Sequence, residues 1–164
     1  MRAYQLPKGG AGIDALAKVD RPQPKPGHRQ VLVKVAACSL NFRDLGIVRG
    51  TYRVPVPDNI VPLSDGAGEV VEVGSGSTLK KGQRVVVPFT ISCGSCFHCS
   101  KHQYSACDNG LPADNQDIAM ELYGQPMAGL FGYSHMTGGY SGGQAEYVRV
   151  PFSDVGPIVV PDGV

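Results

Sequence analysis

Four of the five cysteines in this chain lie within one short segment, "TISCGSCFHCSKHQYSACDNG", at residues 90–110. They are Cys93, Cys96, Cys99 and Cys107, with the spacing C-x2-C-x2-C-x7-C. Two cysteines separated by two residues can chelate one ion, because the intervening turn directs both thiolates inward. Four thiolates fill the tetrahedral coordination of zinc and leave no open position. The spacing therefore predicts one structural zinc per chain.

The alternatives for this segment are two disulfides, four free thiols or an iron–sulfur cluster, which also needs four thiolates. His98 and His102 lie inside it and can replace a cysteine as ligand, although solvated loop histidines are the favoured interpretation. No apolar run has the length of a membrane span, and the start "MRAYQLPKGG" lacks the apolar core of a signal peptide. We therefore expect a cytoplasmic, reducing compartment, where clustered cysteines bind metals.

The rest of the sequence predicts a mostly β (α+β) fold. With 22 Gly and 13 Pro in 164 residues, short elements joined by tight turns are expected. The clearest strand is "QVLVKVAACSL", where Val31, Val33, Val35 and Ala37 share one face. "NFRDLGIVRG" predicts a short helix that Gly50 ends. A net charge of +1 without charged blocks indicates neither a nucleic acid nor a membrane as partner.

The order of these motifs resembles the medium-chain dehydrogenase/reductase superfamily. The strand is followed by "VPLSDGAGEVVEVGSG", "KKGQRVVVPF", the cysteine segment and "GGQAEYVRVP", as in the N-terminal GroES-like catalytic domain of that family. The resemblance covers essentially the whole chain. It implies one domain over residues 1–164, built as a partly open β-barrel with short helices, a zinc lobe at 90–110 and a long excursion at 108–143.

Two branches of the superfamily are combined in this resemblance. Residues 1–87, with "AACSLNFRDLGIVRGTY", look like the zinc-independent, quinone-oxidoreductase-like branch. Residues 84–164, with "VVVPFTISCGSCFHC", look like zinc alcohol dehydrogenases of the formaldehyde dehydrogenase type. A recombined or engineered chimera explains this pattern, and a natural hybrid is the alternative.

The ligands of the family's second, catalytic zinc are replaced here. Asp44 matches the family's aspartate, and Asn41 stands at the position of the ligand cysteine three residues earlier. Leu63, Ser64 and Asp65 stand where the family has Gly-His-Glu, so the ligand histidine is replaced as well. The resemblance therefore predicts no catalytic zinc and assigns no catalytic residue. In the zinc-independent branch, residues like Asn41 lie near the nicotinamide, which makes Asn41 the one expected cofactor contact.

Other polar residues near these positions have structural interpretations. Cys38 is predicted to be a small buried residue rather than a metal ligand. Asp44 and Asp65 are predicted to have a solvated or hydrogen-bonded structural role, because carboxylates in Gly-rich turns commonly cap backbone donors, and weak binding of another cation is the alternative. His135, in the excursion, is either a pocket residue, as the formaldehyde dehydrogenase type implies, or a loop residue that forms hydrogen bonds.

The chain has no convincing dinucleotide-binding motif. "GSGSTL" at 74–79 lacks the third glycine of G-x-G-x-x-G, and "GGYSGG" at 138–143 lacks a βαβ setting. The sequence reaches "PDGV" at about the place where the family's Rossmann domain begins. The expectation is a substrate-side domain without its Rossmann domain, to which NAD(P) binds only if such a domain is supplied. The expected partners are that domain or a second copy, through the exposed domain face.

Three functions are consistent with these features. The first is the substrate-side domain of an alcohol dehydrogenase-like, NAD(P)-dependent oxidoreductase that is inactive alone. The second is a recombined or engineered zinc-stabilised scaffold or binding module without an enzymatic role. The third is an enzyme completed in trans by a separate Rossmann chain.

Overall fold

Strands predominate in the fold. The computed structural model describes residues 1–8, 10–52, 55–108, 129–134 and 138–164. In these residues the strands are β1 (Arg2–Gln5), β2 (Ala17–Asp20), β3 (Gln30–Ser39), β4 (Asp65–Val73), β5 (Arg84–Val87), β6 (Thr90–Ile91), β7 (Gly129–Leu130), β8 (Tyr147–Pro151) and β9 (Ile158–Val159). The helices are α1 (Phe42–Arg49) and the single turn α2 (Phe97–Ser100), with 3-10 turns at Ile13–Ala15 and Tyr104–Ala106.

The strands form one larger sheet and two small ones. The larger sheet has five antiparallel strands in the order β8-β3-β4-β5-β9, while β1 pairs with β2 and β6 pairs with β7. Within the described residues none of these sheets closes into a barrel. The mostly β, open architecture that the sequence predicts is thus confirmed.

The central strand β3 departs from simple alternation. Its pairing with β4 shifts register between Leu32 and Val33 and again between Val35 and Ala37. Such bulges change which face a side chain points to. Val31 and Val33 are buried and Val35 packs against them, but Ala37 is exposed. The predicted shared face is therefore correct for the three valines and wrong for Ala37.

Helix α1 begins and ends where the sequence predicts. The Asn41 backbone N–H donates to Asp44 Oδ2 at 2.9 Å, which satisfies one donor at the start of the helix. Gly50 ends the helix in the left-handed conformation, with φ 69°. A Cβ at Gly50 would lie 2.7 Å from the Gly10 Cα. The close approach of these two chain segments therefore also requires a glycine at position 50.

The main core lies on the five-stranded sheet. Its buried members are Val31, Val33, Val70, Leu79, Val85, Val87, Ile91, Phe131, Tyr140, Val148, Val150 and Phe152. A second cluster of Leu6, Val48 and Ile60 fixes α1 to the N-terminal segment. The loop before β4 has no strand in its described part, as predicted from its prolines. Most of the excursion predicted at 108–143, including His135, lies outside the described residues.

Candidate metal centre and substrate cleft

The four clustered cysteines converge on one point. The Sγ atoms of Cys93, Cys96, Cys99 and Cys107 all lie within 4.8 Å of one another. Cys93 Sγ is 3.9 Å from Cys99 Sγ, and Cys96 Sγ is 4.0 Å from Cys107 Sγ. Two thiolates bound to one tetrahedral zinc at ~2.3 Å lie about 3.8 Å apart. The spacing of the sulfur atoms therefore fits a zinc ion with four thiolate ligands.

Backbone geometry orients these sulfurs. The Cys96 thiol accepts the Cys99 N–H at 3.5 Å at the start of α2, and Cys93 Sγ accepts the Ser95 N–H at 3.5 Å. Gly94 makes the first turn with φ 78°, and a Cβ there would lie 2.5 Å from a methyl of Val155. N–H groups directed at the sulfurs favour the charged thiolate form that binds metal.

Burial disfavours uncompensated thiolates in this cluster. Cys93 and Cys99 are buried, and Cys96 and Cys107 are half-buried. Burial raises the pKa of the Cys99 thiol to about 12, so without a cation the thiol stays protonated at neutral pH. A bound zinc would supply the charge that stabilises four thiolates and would crosslink the loop. Its full coordination leaves no position for a substrate.

The two loop histidines stand apart from this cluster. His98 Nδ1 lies 3.2 Å from Gln103 Oε1, and His102 Nδ1 lies 2.9 Å from the Tyr104 hydroxyl oxygen. Neither belongs to the metal-holding group found in the described part of the chain. These contacts agree with the interpretation of His102 as a loop residue, whereas His98 lies in the single turn α2.

A second polar cluster joins the start of α1 to the start of β4. The Asn41 side-chain amide donates to Asp65 Oδ2 at 2.8 Å, and the Ser64 hydroxyl donates to the same oxygen at 3.3 Å. The Ser64 oxygen in turn accepts a short hydrogen bond from Arg43 Nη2. Asp44, buried beneath the helix start, accepts from the Asn41 backbone and leaves Oδ1 without a partner in the described residues. Asp44 thus caps the helix, and Asp65 accepts hydrogen bonds from two side chains, so both contacts agree with the predicted hydrogen-bonded structural role.

Glycines at the end of the "GGYSGG" segment hold Ser64 in place. Gly142 N–H donates to the Val61 carbonyl and Gly143 N–H donates to the Leu63 carbonyl, both at 2.7 Å. Leu63 adopts φ 70°, which is unusual for a residue with a side chain. A Cβ at Gly142 would lie 2.1 Å from the Leu63 oxygen. The segment therefore supports the backbone around Leu63. These hydrogen bonds agree with the prediction that the segment is a turn and not a nucleotide-binding loop.

This second cluster does not fit a catalytic zinc. Asn41 and Ser64 offer neutral amide and hydroxyl groups, and both are already hydrogen-bonded to Asp65. The guanidinium of Arg43, a permanent cation, contacts Ser64. Among the described residues, no group of three or more His, Cys, Asp or Glu side chains gathers here. The donor set and the charge both oppose a metal cation at this position.

Sequence reasoning missed Arg43 and the rings around it. The guanidinium carbon lies 4.7 Å from the centre of the Phe89 ring and 5.5 Å from that of Tyr133. Tyr133 meets Tyr52 edge to face at 5.6 Å between ring centres. Burial and the neighbouring Tyr52 raise the pKa of the Tyr133 phenol, and Arg43 opposes that shift. These residues come from α1, from both sides of the zinc lobe and from the loop after α1, so no local sequence pattern links them.

Cys38 is less buried than predicted. Its Sγ donates to the Gly143 carbonyl at 3.1 Å, and the residue is only half-buried. Burial, followed by the charges of Asp44 and Asp65, raises the pKa of its thiol. It belongs to no metal-holding group in the part of the chain that the structure describes. A packing role beside the Gly143 backbone agrees with these contacts.

An apolar groove of about 480 Å³ lies beside α1. Leu40 and Phe42 border it and are 81% and 85% exposed, a large exposure for such residues. Asn41 and Asp44 also border it. The start of α1, with Asn41 as the expected cofactor contact, thus lies at an open, apolar surface.

Comparison with known proteins identifies the relatives of this arrangement. Residues 27–162 match the model of the family described as "Alcohol dehydrogenase GroES-like domain". The chain is 39% identical over 153 residues to AdhB of Bacillus subtilis, an uncharacterized zinc-type alcohol dehydrogenase-like protein, covering 92% of this chain and 37% of that protein. It is 34% identical over 146 residues to the glutathione-independent formaldehyde dehydrogenase of Pseudomonas aeruginosa, covering 88% of this chain and 33% of that protein.

Solved structures agree with these relatives. The chain matches alcohol dehydrogenase TADH from Thermus sp. ATN1 with a TM-score of 0.80 and 31% identity, over 100% of this chain and 41% of that one. The chain thus spans between about a third and two-fifths of the length of these proteins. Each of these matches includes residues 84–87, where the two branch resemblances in the sequence meet.

In the residues that the structure describes, no helix combines the length and the hydropathy needed to cross a bilayer.

Proposed function

Since this chain belongs to the alcohol dehydrogenase GroES-like domain family, we propose that it is the substrate-side domain of an NAD(P)-dependent oxidoreductase that works without a catalytic zinc. The carrying observation is that the neutral side chains of Asn41 and Ser64 stand at the family's metal-ligand positions, where both are hydrogen-bonded to Asp65 and the Arg43 guanidinium contacts Ser64. Without a Lewis acid, hydride transfer to an activated alkene or quinone is the chemistry that such a site supports.

The cysteine cluster has a separate, structural role in this proposal. One zinc per chain holds Cys93, Cys96, Cys99 and Cys107, and its closed coordination stabilises a lobe with little core of its own. Metal analysis of the purified protein by mass spectrometry tests this directly. One zinc per chain, with four thiols appearing on chelation, is expected. Two zincs per chain would overturn the assignment of Asn41 and Ser64.

The cofactor is proposed to reach the site from a Rossmann domain that docks on the apolar groove. Leu40 and Phe42 are exposed beside Asn41, the proposed nicotinamide contact, which supports docking of an apolar surface there. Residues 1–164 prepared alone should therefore self-associate or remain catalytically inactive, even when zinc is bound. Sedimentation at several concentrations measures the first outcome, and NADPH oxidation the second.

The function is tested by turnover of the protein at its full natural length. We expect NADPH-dependent reduction of 2-cyclohexen-1-one or 1,4-benzoquinone and no NAD-dependent oxidation of ethanol. Alcohol oxidation that is lost on chelation and restored by zinc would refute the proposal, because it requires the catalytic metal that this site does not fit.

A further inference from the structure

We propose that Arg43 is a catalytic residue, whose guanidinium binds the carbonyl oxygen of an α,β-unsaturated carbonyl substrate and stabilises the negative charge that develops there. This inference rests on the proposed function for the reaction. The binding site itself is argued from the contacts of Arg43 and has its own test.

The first observation is that the guanidinium is held in place. Its carbon lies over the rings of Phe89 and Tyr133, at 4.7 and 5.5 Å from the ring centres, and one nitrogen contacts the buried Ser64 hydroxyl. A side chain restrained in this way has little rotamer freedom left to lose when a ligand binds. Fixed donors of this kind stabilise charge in a transition state better than mobile ones do.

The second observation concerns donors and charge. A guanidinium has five N–H donors, and within the described residues only Ser64 accepts one from Arg43. No carboxylate in the described part of the chain forms an ion pair with Arg43. The nearby carboxylates have other donors, since Asp65 accepts from Asn41 and Ser64, and Asp44 accepts from the Asn41 backbone. Within the described residues, the positive charge of Arg43 therefore remains available to a ligand.

The third observation indicates the class of ligand. The rings of Phe89, Tyr133 and Tyr52 favour a flat, conjugated molecule, and the guanidinium favours an oxygen that carries negative charge. An α,β-unsaturated carbonyl compound has both properties. Bound NADPH would supply a hydride to its β-carbon and be oxidised, and the alkene electron pair would shift so that charge collects on the carbonyl oxygen. Arg43 would bind that charged oxygen, and water would supply a proton to the α-carbon of the reduced product.

The test compares three variants of the protein at its full natural length. Arg43→Met removes all donors and keeps an unbranched stem, while Arg43→Lys keeps the charge without the planar fork. Arg49→Met, at the exposed end of the same helix, is the matched control. With NADPH and 2-cyclohexen-1-one, we expect kcat/KM to fall about 10²–10³-fold in Arg43→Met. Arg43→Lys should regain part of that loss, and KM for NADPH should stay unchanged in all three.

A second measurement separates this inference from the proposed function. Titration with benzoate, a flat carboxylate probe, is followed by NMR in wild type and in each variant. Binding that is lost in Arg43→Met and kept in Arg49→Met supports the site even if no enone is reduced. Equal benzoate binding in wild type and Arg43→Met, or none in wild type, overturns it. Reduction of the enone by Arg43→Met within threefold of wild type overturns the catalytic role and leaves the proposed function intact.

Discussion

Replacing Gly142 by alanine should be among the most damaging single substitutions in this domain. The added Cβ would lie 2.1 Å from the Leu63 carbonyl oxygen, 2.4 Å from that of Pro62 and 2.7 Å from the Pro62 carbonyl carbon. All three are backbone atoms, which cannot move aside as a flexible side chain can. The loop must therefore move away by about 1 Å to restore an ordinary contact distance.

The expected loss follows from what that movement breaks. Overpacking alone costs about 1–3 kcal/mol. The Gly142–Val61 and Gly143–Leu63 hydrogen bonds, both 2.7 Å long, are strained by the same shift at roughly 1 kcal/mol each. We expect the free energy of unfolding to fall by about 3–5 kcal/mol, a large part of the stability of a typical domain.

Urea unfolding of the zinc-loaded protein, followed by circular dichroism, measures this change. Gly66→Ala is the matched control, because its Cβ would meet nothing closer than 3.7 Å. The control should stay within about 1 kcal/mol of wild type. A loss in Gly142→Ala that is no larger than in the control would refute the argument that this glycine braces the Leu63 backbone.

Three further predictions concern the metal, a thiol and a surface ion pair. Cys107→Ser should lower the zinc content well below one per chain and lower the melting temperature, as measured by metal analysis and calorimetry, since Cys107 lies with the other three sulfurs; unchanged metal content would contradict this. Cys38 should react with iodoacetamide at pH 8 more slowly than glutathione, since burial raises its pKa; an equal rate would contradict the burial argument. Hydrogen bonds from Arg2 hold the pKa of the Glu146 carboxyl below its ordinary value of 4.5. The ion pair therefore stabilises the fold above pH 4.5, and this contribution is lost as the pH falls through the pKa of Glu146 in the folded protein. Glu146→Gln should therefore approach wild-type stability in acid unfolding curves, and a difference that persists at pH 2 would contradict the assignment.

The convergence of the four cysteines was predictable from sequence because its determinants are local. Thiols at short, fixed separations in one segment can reach one ion whatever the rest of the fold does. The same holds for α1, whose start at Asn41 and end at Gly50 depend on residues within the helix and next to it. The sequence therefore predicts the cysteine cluster and this helix at residue level.

Contacts between distant segments were not predictable in the same way. The bond between Asn41 and Asp65 depends on the register of β3 with β4, and two bulges shift that register. The contact of Arg43 with Ser64 depends further on the positive φ of Leu63, which the hydrogen bonds of Gly142 and Gly143 support. No periodic pattern carries this information, because a bulge changes the face of every later side chain.

The pairing of β3 with β8 has a consequence for how the chain reaches its native state. Ser153, just after β8, donates to the Arg29 carbonyl across 124 positions of sequence. Contacts of such separation form late, because a long loop must close first. Until β8 arrives, one side of β3 is an open edge that another chain can pair with. During synthesis that edge stays unprotected until residue 151 has left the ribosome. Zinc bound early by Cys93 and Cys107, which lie in the chain between the two strands, would shorten the remaining search.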